Sequence, residues 1–519
     1  MSDGTINIIV KQDNKTIDIT HKKEDSLYTT LCNHNIFIDA VCAGSGVCGK
    51  CKVRILSGYF PISQQDKIFL SEQELEEGYR LACQAYPTDD CVIWVNVKNE
   101  YQVESHNNPF HVEKKYSDCG IIIDIGTTTI IYKLIDRNTG MELKSESQLN
   151  NNRMYGADVL RRIEKANSGS LQQMCQQLRK QISDGIMKLS DEDELRSVTH
   201  IIISANMTMI HILMKYSCEN LGKFPFTSVT TDWIRTDTAK LELLKEKIPL
   251  TIMPAISTFV GGDIVSGLFS LNIIPKNKKT FFIDLGTNAE MVLTDGKGGV
   301  FVSSASAGPA FEGGNISCGI GSVNGAIQGV KIFKGTPNLD VIGGQSPIGI
   351  CGSGIIEILY ELRKNNIIDE TGLLIDEYFD SGYSLFKDEE REITITQKDI
   401  REIQMAKAAI AAGIDILLQE TECQADEIED IYLAGGFGYH LSIKKAIRIG
   451  LLKKEWDNRV SLVGNTSIMG AKKYLCNEDI ADEIDKIKTR SKEIYLSNLT
   501  GFQESYLQNM SLADIAEND

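Results

Sequence analysis

GIIIDIGTTTIIYKLID, residues 120–136, and TFFIDLGTNAEMVLTD, residues 280–295, carry one pattern twice: an apolar strand, an aspartate, a Gly-Thr turn and a second apolar strand. The two aspartates, Asp124 and Asp284, stand 160 positions apart. Self-similarity at that spacing is the footprint of two related lobes. Around both copies, strands alternate with long amphipathic helices, which predicts a mixed α/β fold. The apolar stripe of the helix expected at 398–420 has helical spacing and reads as packing. We place a first lobe at 119–275 and a second at 276–475. Residues 476–519, acidic and polar, read as a helical C-terminal tail.

A tight turn rich in Gly and Thr, held between two buried strands, presents backbone N–H groups and hydroxyls in one concave cradle. Binding a polyphosphate requires such a cradle where no basic P-loop is available. Asp124 and Asp284 would repel phosphate, but they can orient magnesium-bound water, oxygen being the ligand this hard cation prefers. Two facing cradles would clamp a nucleotide's phosphates. A third element, IYLAGGFGYHL at 431–441, runs a buried strand into Gly435, Gly436 and Gly438. Glycines there let a flat ring or sugar approach the backbone closely. A Rossmann reading fails, because Leu441 stands where the third glycine of G-x-G-x-x-G belongs.

At 519 residues the chain has length for three or four domains of roughly 150 residues each. Its 42% hydrophobic and 24% charged residues exclude a disordered or collagen-like chain. A net charge of −17 argues against nucleic acid or an anionic membrane as partner. No apolar run approaches the ~18 residues needed to span a bilayer. The start, MSDGTINIIVKQDNK, lacks the basic and apolar segments of a signal peptide, so a cytoplasmic protein is expected.

Residues 1–100 read as a separate, strand-rich domain. INIIV and KTIDIT alternate as a hairpin should, KCKVRILSG and CVIWVNV are further β-branched runs, and QELEEGYRLAC reads as a short helix. The polar, aperiodic stretch 101–118 is the expected linker. Six of thirteen cysteines fall in the first 91 residues: Cys32, Cys42, Cys48, Cys51, Cys83 and Cys91. In a long chain without a secretory start, clustered thiols serve metals or catalysis more than disulfides. Cys42, Cys48, Cys51 and Cys83 give C-x5-C-x2-C-x31-C, three thiolates on one loop and a fourth returning later. Such a set closes sulfur coordination around both irons of a 2Fe–2S cluster. Gly44, Gly46 and Gly49 let the loop wrap closely and turn its N–H groups toward cluster sulfur. The competing reading is structural zinc, for which paired C-x2-C knuckles are expected. The string from Gly44 to Cys51 nearly spells a P-loop, but a Cys replaces the magnesium-binding Ser/Thr, and no helix is expected to follow. Cys32 and Cys91 read as buried small side chains, Cys91 being the first substitute should Cys83 not be the fourth ligand. Cys318, Cys351 and His211 also read as packing.

Residues 3–98 resemble 2Fe–2S ferredoxins, the five-residue first gap matching their adrenodoxin-like branch. The two Asp-Gly-Thr turns and the third glycine motif, in that order, resemble the phosphate-1, phosphate-2 and adenosine motifs of the actin-like ATPase superfamily, which includes acetate and sugar kinases. SAGPAFEGGNISCGIGSVNGAI (306–327), PIGICGSGIIEIL (347–359), ITQKDIREIQMAKAAIAAGIDILL (395–418) and GNTSIMGAKKYL (464–475) are more specific. With them the chain resembles, over 1–475, the reductive activators of corrinoid-dependent enzymes. The resemblance implies a β-grasp ferredoxin-like domain followed by a two-lobed actin-like, RNase H-like ATPase.

It also implies phosphate contacts from Asp124, Gly126, Thr127, Thr128 and Thr129 in one lobe and Asp284, Gly286, Thr287 and Asn288 in the other. Gly435, Gly436 and Gly438 would meet adenosine, Gly308 and Glu312 would line the cleft, and Glu290 and Asp263 are candidates for positioning the attacking water. The implied cofactors are a 2Fe–2S cluster, ATP and Mg2+. The implied partners are a cobalt(II) corrinoid protein, an upstream donor such as a flavodoxin or ferredoxin, and a second copy in a homodimer. The implied function is ATP-dependent one-electron return of cobalt(II) to cobalt(I), in an O-demethylase or other methyltransferase system. Lifting one electron by ~300 mV costs roughly 7 kcal/mol, which explains why an electron carrier shares a chain with a nucleotide clamp. The alternatives are a ferredoxin-fused small-molecule kinase and a non-catalytic redox-sensing scaffold that binds nucleotide.

Overall fold

A computed structural model of the chain describes all residues except 1–4, 13–14, 35, 37, 39, 41, 43, 96–117, 191, 275–276, 390, 437–440 and 513–519. The expected linker, apart from Asp118, and Gly438 lie outside the described residues. The chain forms two compact units, one of Met1–Tyr101 with Asn151–Met174, the other of Gln102–Asn150 with Cys175–Asp519.

In the first unit, β1 (Thr5–Gln12) and β2 (Lys15–Lys22) form the hairpin their alternation predicts, paired from Thr5–Lys22 to Gln12–Lys15. With β3 (Lys52–Ser57), β4 (Tyr79–Leu81) and β5 (Cys91–Val95) they make a mixed sheet in the order β2-β1-β5-β3-β4. The helix Leu27–Asn33, capped by the Ser26 side chain, packs Leu27 and Leu31 among Ile8, Val10, Val53, Leu81 and Ile93. This is a β-grasp arrangement. The helix expected over QELEEGYRLAC is shorter: Glu72–Glu76 is helical, then Tyr79–Leu81 turn to pair with β3. Cys83 sits on the single 3-10 turn Ala82–Gln84 that follows. Asn151–Met174, inside the expected first lobe, instead belongs to this unit. Tyr28 Oη donates to the Met154 carbonyl at 3.0 Å, and Met154 packs on the ferredoxin-like core.

The second unit holds two sheets of related topology. The first uses β6 (Cys119–Ile125), β7 (Thr129–Asp136), β8 (Glu142–Leu149), β9 (Val198–Ala205), β10 (Ile234–Asp237) and β11 (Pro249–Ile252), in the order β10-β11-β9-β6-β7-β8. In the second lobe come β12 (Lys279–Leu285), β13 (Ala289–Asp295) and β14 (Val300–Ala305). An insertion follows, with β15 (Ala326–Phe333), β16 (Thr336–Val341), β17 (Gly349–Ile350) and the pair β18 (Tyr383–Lys387) and β19 (Glu392–Ile395). The lobe closes with β20 (Asp430–Gly435), β21 (Val460–Gly464) and β22 (Ser491–Glu493), giving the order β21-β20-β12-β13-β14-β22. In each lobe the strand that ends in the key aspartate runs parallel to one neighbour (β9, β20) and antiparallel to the other (β7, β13). The two Gly-Thr turns therefore occupy the same place in the two sheets.

The helix expected at 398–420 spans Gln397–Glu420, started by a capping box between Thr396 and Asp399. The described part of the expected helical C-terminal tail, residues 476–512, packs onto the second unit. Ser491–Glu493 pair with Val300–Val302, and the helix Thr500–Gln508 sets Phe502 and Tyr506 against the second lobe's core. The Lys407 ammonium, 1% exposed, donates to the Ser511 carbonyl at 2.7 Å and secures this end. An acidic, polar composition is compatible with such docking because one apolar face is enough to hold it. Among the described residues no helix is long and apolar enough to cross a membrane.

Candidate functional site

In the first unit, Cys42, Cys51 and Cys83 are buried and Cys48 is partly exposed. Gly44 and Gly49 have φ of +81° and +67°, and a Cβ on either would come within 2.8 Å of the Tyr28 or Phe69 ring, so only glycine fits. The cysteines stand in two interacting pairs, Cys42 with Cys48 and Cys51 with Cys83. The hydrogen bond from Cys48 holds the Cys42 thiol down at about 4, helped by the backbone N–H groups of Val47 and Gly46. The bond between Cys51 and Cys83 lowers Cys83 and raises Cys51. Gln84 Nε2 also reaches Cys83 Sγ, at 3.7 Å. N–H groups aimed at sulfur favour the thiolate that a metal needs.

Among the described residues no three His, Cys, Asp or Glu side chains converge on one ion. Two thiolate pairs fit two irons, so the donor set fits a 2Fe–2S cluster. Cys91 lies on β5, its thiol pushed up to about 11 by burial and by Asp90, and Cys32 is pushed up to about 12 by burial. Both behave as packing residues.

In the second unit, five carboxylates come from five element ends. Asp124 lies near the end of β6, Asp284 near the end of β12, and Glu290 near the start of β13. Asp263 is in the first turn of the helix Gly262–Ser270, and Glu312 is on the 3-10 turn Ala310–Glu312. Each keeps a partly exposed edge. Their electrostatics differ. Burial pushes Asp124 up, but Asn465 Nδ2 at 2.7 Å and Ser467 Oγ at 2.8 Å donate to its two oxygens and oppose the push. Burial and then Asp124 push Asp263 up to about 7. Burial, Asp263, Asp124 and Glu312 push Asp284 up to about 8. Glu290 rises well above the usual carboxylate range through burial, Asp263 and Asp284, despite a bond from Ser304 at 3.2 Å. Water at the open edges tempers these shifts, but the direction is upward throughout.

A field of close carboxylates fits a hydrated cation. Mg2+ keeps several waters and takes one or two carboxylates with substrate phosphates, so it needs no convergent protein cage. The turns themselves are closed by Gly126 N–H to the Thr129 carbonyl and Gly286 N–H to the Asn288 carbonyl, both 2.9 Å. Thr128 and Thr287 each donate to Glu312 Oε2 at 2.8 Å. Gly435 pairs in register with Leu285, and at φ +108° a Cβ there would stand 2.2 Å from the Leu285 carbonyl oxygen. The third glycine motif therefore begins beside the second Gly-Thr turn. Gly436 is exposed and Gly308 faces open space.

Sequence reading passed over Asn465 and Ser467, and also Asn206, whose Nδ2 donates to Thr127 Oγ1 at 3.1 Å, and Asn150, whose Nδ2 donates to the Gly126 carbonyl at 2.8 Å. Asn206 and Asn465 are matched residues: each follows a strand and caps the helix after it. Strand–Asn–helix in both lobes was the available signal. His211 is a buried histidine whose Nδ1 meets the Ser217 carbonyl at 2.8 Å, and Cys351 Sγ meets the Ile327 carbonyl at 3.3 Å. Cys318 and Cys351 form no disulfide.

Residues 10–88 match the 2Fe-2S iron-sulfur cluster binding domain, 119–275 the RACo middle region, and 278–518 the C-terminal domain of RACo, the ASKHA domain. The chain is 31% identical over 428 residues to the corrinoid activation enzyme RamQ of Eubacterium limosum, covering 78% of this chain and 72% of RamQ. It is 26% identical over 286 residues to the [Co(II) methylated amine-specific corrinoid protein] reductase of Methanosarcina barkeri, covering 50% of this chain and 51% of the reductase. A solved reductive activator for corrinoid, iron-sulfur protein superposes with a TM-score of 0.71 at 26% identity, covering 98% of both chains. Ferredoxin-like sheet, duplicated Gly-Thr turns and end-to-end similarity agree: the chain belongs to the RACo-type reductive activators of corrinoid proteins.

Proposed function

We propose that the protein uses ATP to drive one-electron reduction of a cobalt(II) corrinoid protein to its cobalt(I) state. The observation that carries this is the coexistence in one chain of two thiolate pairs and a carboxylate-lined cleft with a phosphate turn from each lobe. Cys42 and Cys48 would hold one iron, Cys51 and Cys83 the other, and the 2Fe–2S cluster they bind supplies a one-electron carrier. In the second unit Gly126 and Gly286 shape the two turns, and the hydroxyls of Thr127, Thr128, Thr129 and Thr287 with the N–H groups of residues 127–128 and 287–288 would hold the nucleotide phosphates. Gly435, Gly436 and Gly438 receive adenosine. Asp124, fixed by Asn465 and Ser467, and Asp284 would hold hydrated Mg2+, whose charge would offset their mutual repulsion. Asp263, raised to about 7, and Glu290, raised well above the usual carboxylate range, are suited to hold or accept the attacking water's proton. A nucleotide can shift the complex only through unequal affinity for two of its arrangements, so coupling requires the corrinoid protein to change the cleft's nucleotide affinity.

The upstream donor is read as a flavodoxin or ferredoxin, the assembly as a homodimer, the system served as an O-demethylase or other methyltransferase, and the location as the cytoplasm. Among the described residues the cysteines form no disulfide, which suits a reducing compartment. The test mixes purified protein, a cobalt(II) corrinoid protein, chemical reductant and Mg-ATP without oxygen. Cobalt(I) absorption should grow only with ATP and vanish in Cys48→Ser. Growth without nucleotide, or undiminished growth in Cys48→Ser, refutes the proposal.

A further inference from the structure

Thr128 and Thr287 belong to different lobes and different phosphate turns, yet their hydroxyls share one acceptor, Glu312 Oε2, at 2.8 Å each. Glu312 lies over the second turn, where a Cβ on Gly286 would come 3.6 Å from its Oε1. A threonine hydroxyl has one hydrogen to give, and carboxylate and phosphate oxygens alike only accept. A phosphate that takes a hydrogen bond from either hydroxyl must therefore take it from Glu312. Glu312 also adds its charge to a cleft already lined by Asp124, Asp263, Asp284 and Glu290, and each of these carboxyls that is ionised repels a polyphosphate. Upstream, Gly308 has φ +75° with nothing within 4 Å of where a Cβ would stand, so the turn carrying Glu312 has room on that side.

We propose that Glu312 is a positioning residue that competes with the nucleotide phosphates for the Thr128 and Thr287 hydroxyls and thereby sets nucleotide affinity. This rests on the reading of the cleft as a nucleotide site. Nucleotide entry replaces one internal anion by an external one on the same two donors. The contact that ties the two turns together in this structure then passes from protein to ligand.

The test measures MgADP affinity of the full-length chain by calorimetry. The variants are Glu312→Gln, Glu312→Ala, Thr128→Val and the double change Glu312→Ala with Thr128→Val. Both Glu312 variants should bind roughly tenfold tighter than the unaltered protein, about 1.4 kcal/mol. Thr128→Val should weaken binding little alone but roughly tenfold in the Glu312→Ala background, where the hydroxyl no longer has to leave a carboxylate. Glu312→Gln preserves shape and answers by itself should Glu312→Ala fail to fold. Equal or weaker binding by Glu312→Gln overturns the competition, as do additive effects in the double variant. If the unaltered protein binds no MgADP, the nucleotide reading of the cleft falls first and this inference with it.

Discussion

The two phosphate turns are near copies in sequence and opposites in environment. Asp124 ends its strand against two side-chain donors, Asn465 and Ser467, delivered by the capped start of the helix Thr466–Cys476. Asp284, at the matching place in the other sheet, is acted on by burial and three carboxylates, all of which push its pKa upward. One aspartate is a fixed post. The other is an anion that needs a proton or a cation. Duplication of a motif therefore preserved backbone geometry while the surrounding chain divided the chemistry.

The largest effect expected from this contrast is catalytic. Asp284→Asn should lower nucleotide turnover by at least about 100-fold, the scale seen when one charge-stabilising group leaves an active site. The same variant should be more heat-stable than the unaltered protein, because it removes like-charge repulsion. A fall in its melting temperature would break the comparison. Next in size, Asp124→Asn should raise stability less than Asp284→Asn does, since relief of a buried charge is offset by the weakening of two hydrogen bonds to it. Thermal or denaturant unfolding followed in both variants should give the larger upward shift for Asp284→Asn, and equal shifts would break the contrast.

The pH dependence sharpens the point. Asp263 is raised to about 7 and Asp284 to about 8, from 3.8 for an unperturbed aspartate. Between those limits the folded state holds protons that the unfolded chain has released. Their stabilising contribution is thus complete below about pH 4 and is lost as pH rises through 7 to 8. The stability advantage of Asp284→Asn should accordingly be absent below about pH 4, grow steadily as pH rises from there and level off above about pH 8. Melting curves at several pH values check this, and an advantage independent of pH would contradict it. The smallest effect belongs to Ser467→Ala, which removes one of two donors to Asp124 and should cost about 1 kcal/mol.

Legibility followed the range of the contacts. The cysteine set could be read because three of its four members lie within ten residues on a loop whose glycines are visible in the string. Asp124 and Asp284 could be read because strand, aspartate and turn are contiguous. Glu312 appeared only as a residue lining the cleft. That it takes hydrogens from Thr128, 184 residues away, and Thr287, 25 away, depends on how the lobes pack. Asn465 and Ser467 reach Asp124 across 341 and 343 residues. Asn151–Met174 carried no local mark of its place beside Tyr28.

By itself the sequence determined a ferredoxin-like unit, a duplicated phosphate turn and the family likeness, since each is written in short-range spacing that any correct fold must keep. Only the tertiary structure decided that the sulfurs fall into two pairs and that one aspartate is held while its twin is crowded. It also decided that a single glutamate bridges both turns, and that the C-terminal residues complete a sheet. The reason is physical: hydrogen bonding and charge repulsion act over a few ångströms, and the residues that meet at those distances are brought together by folding rather than by order along the chain.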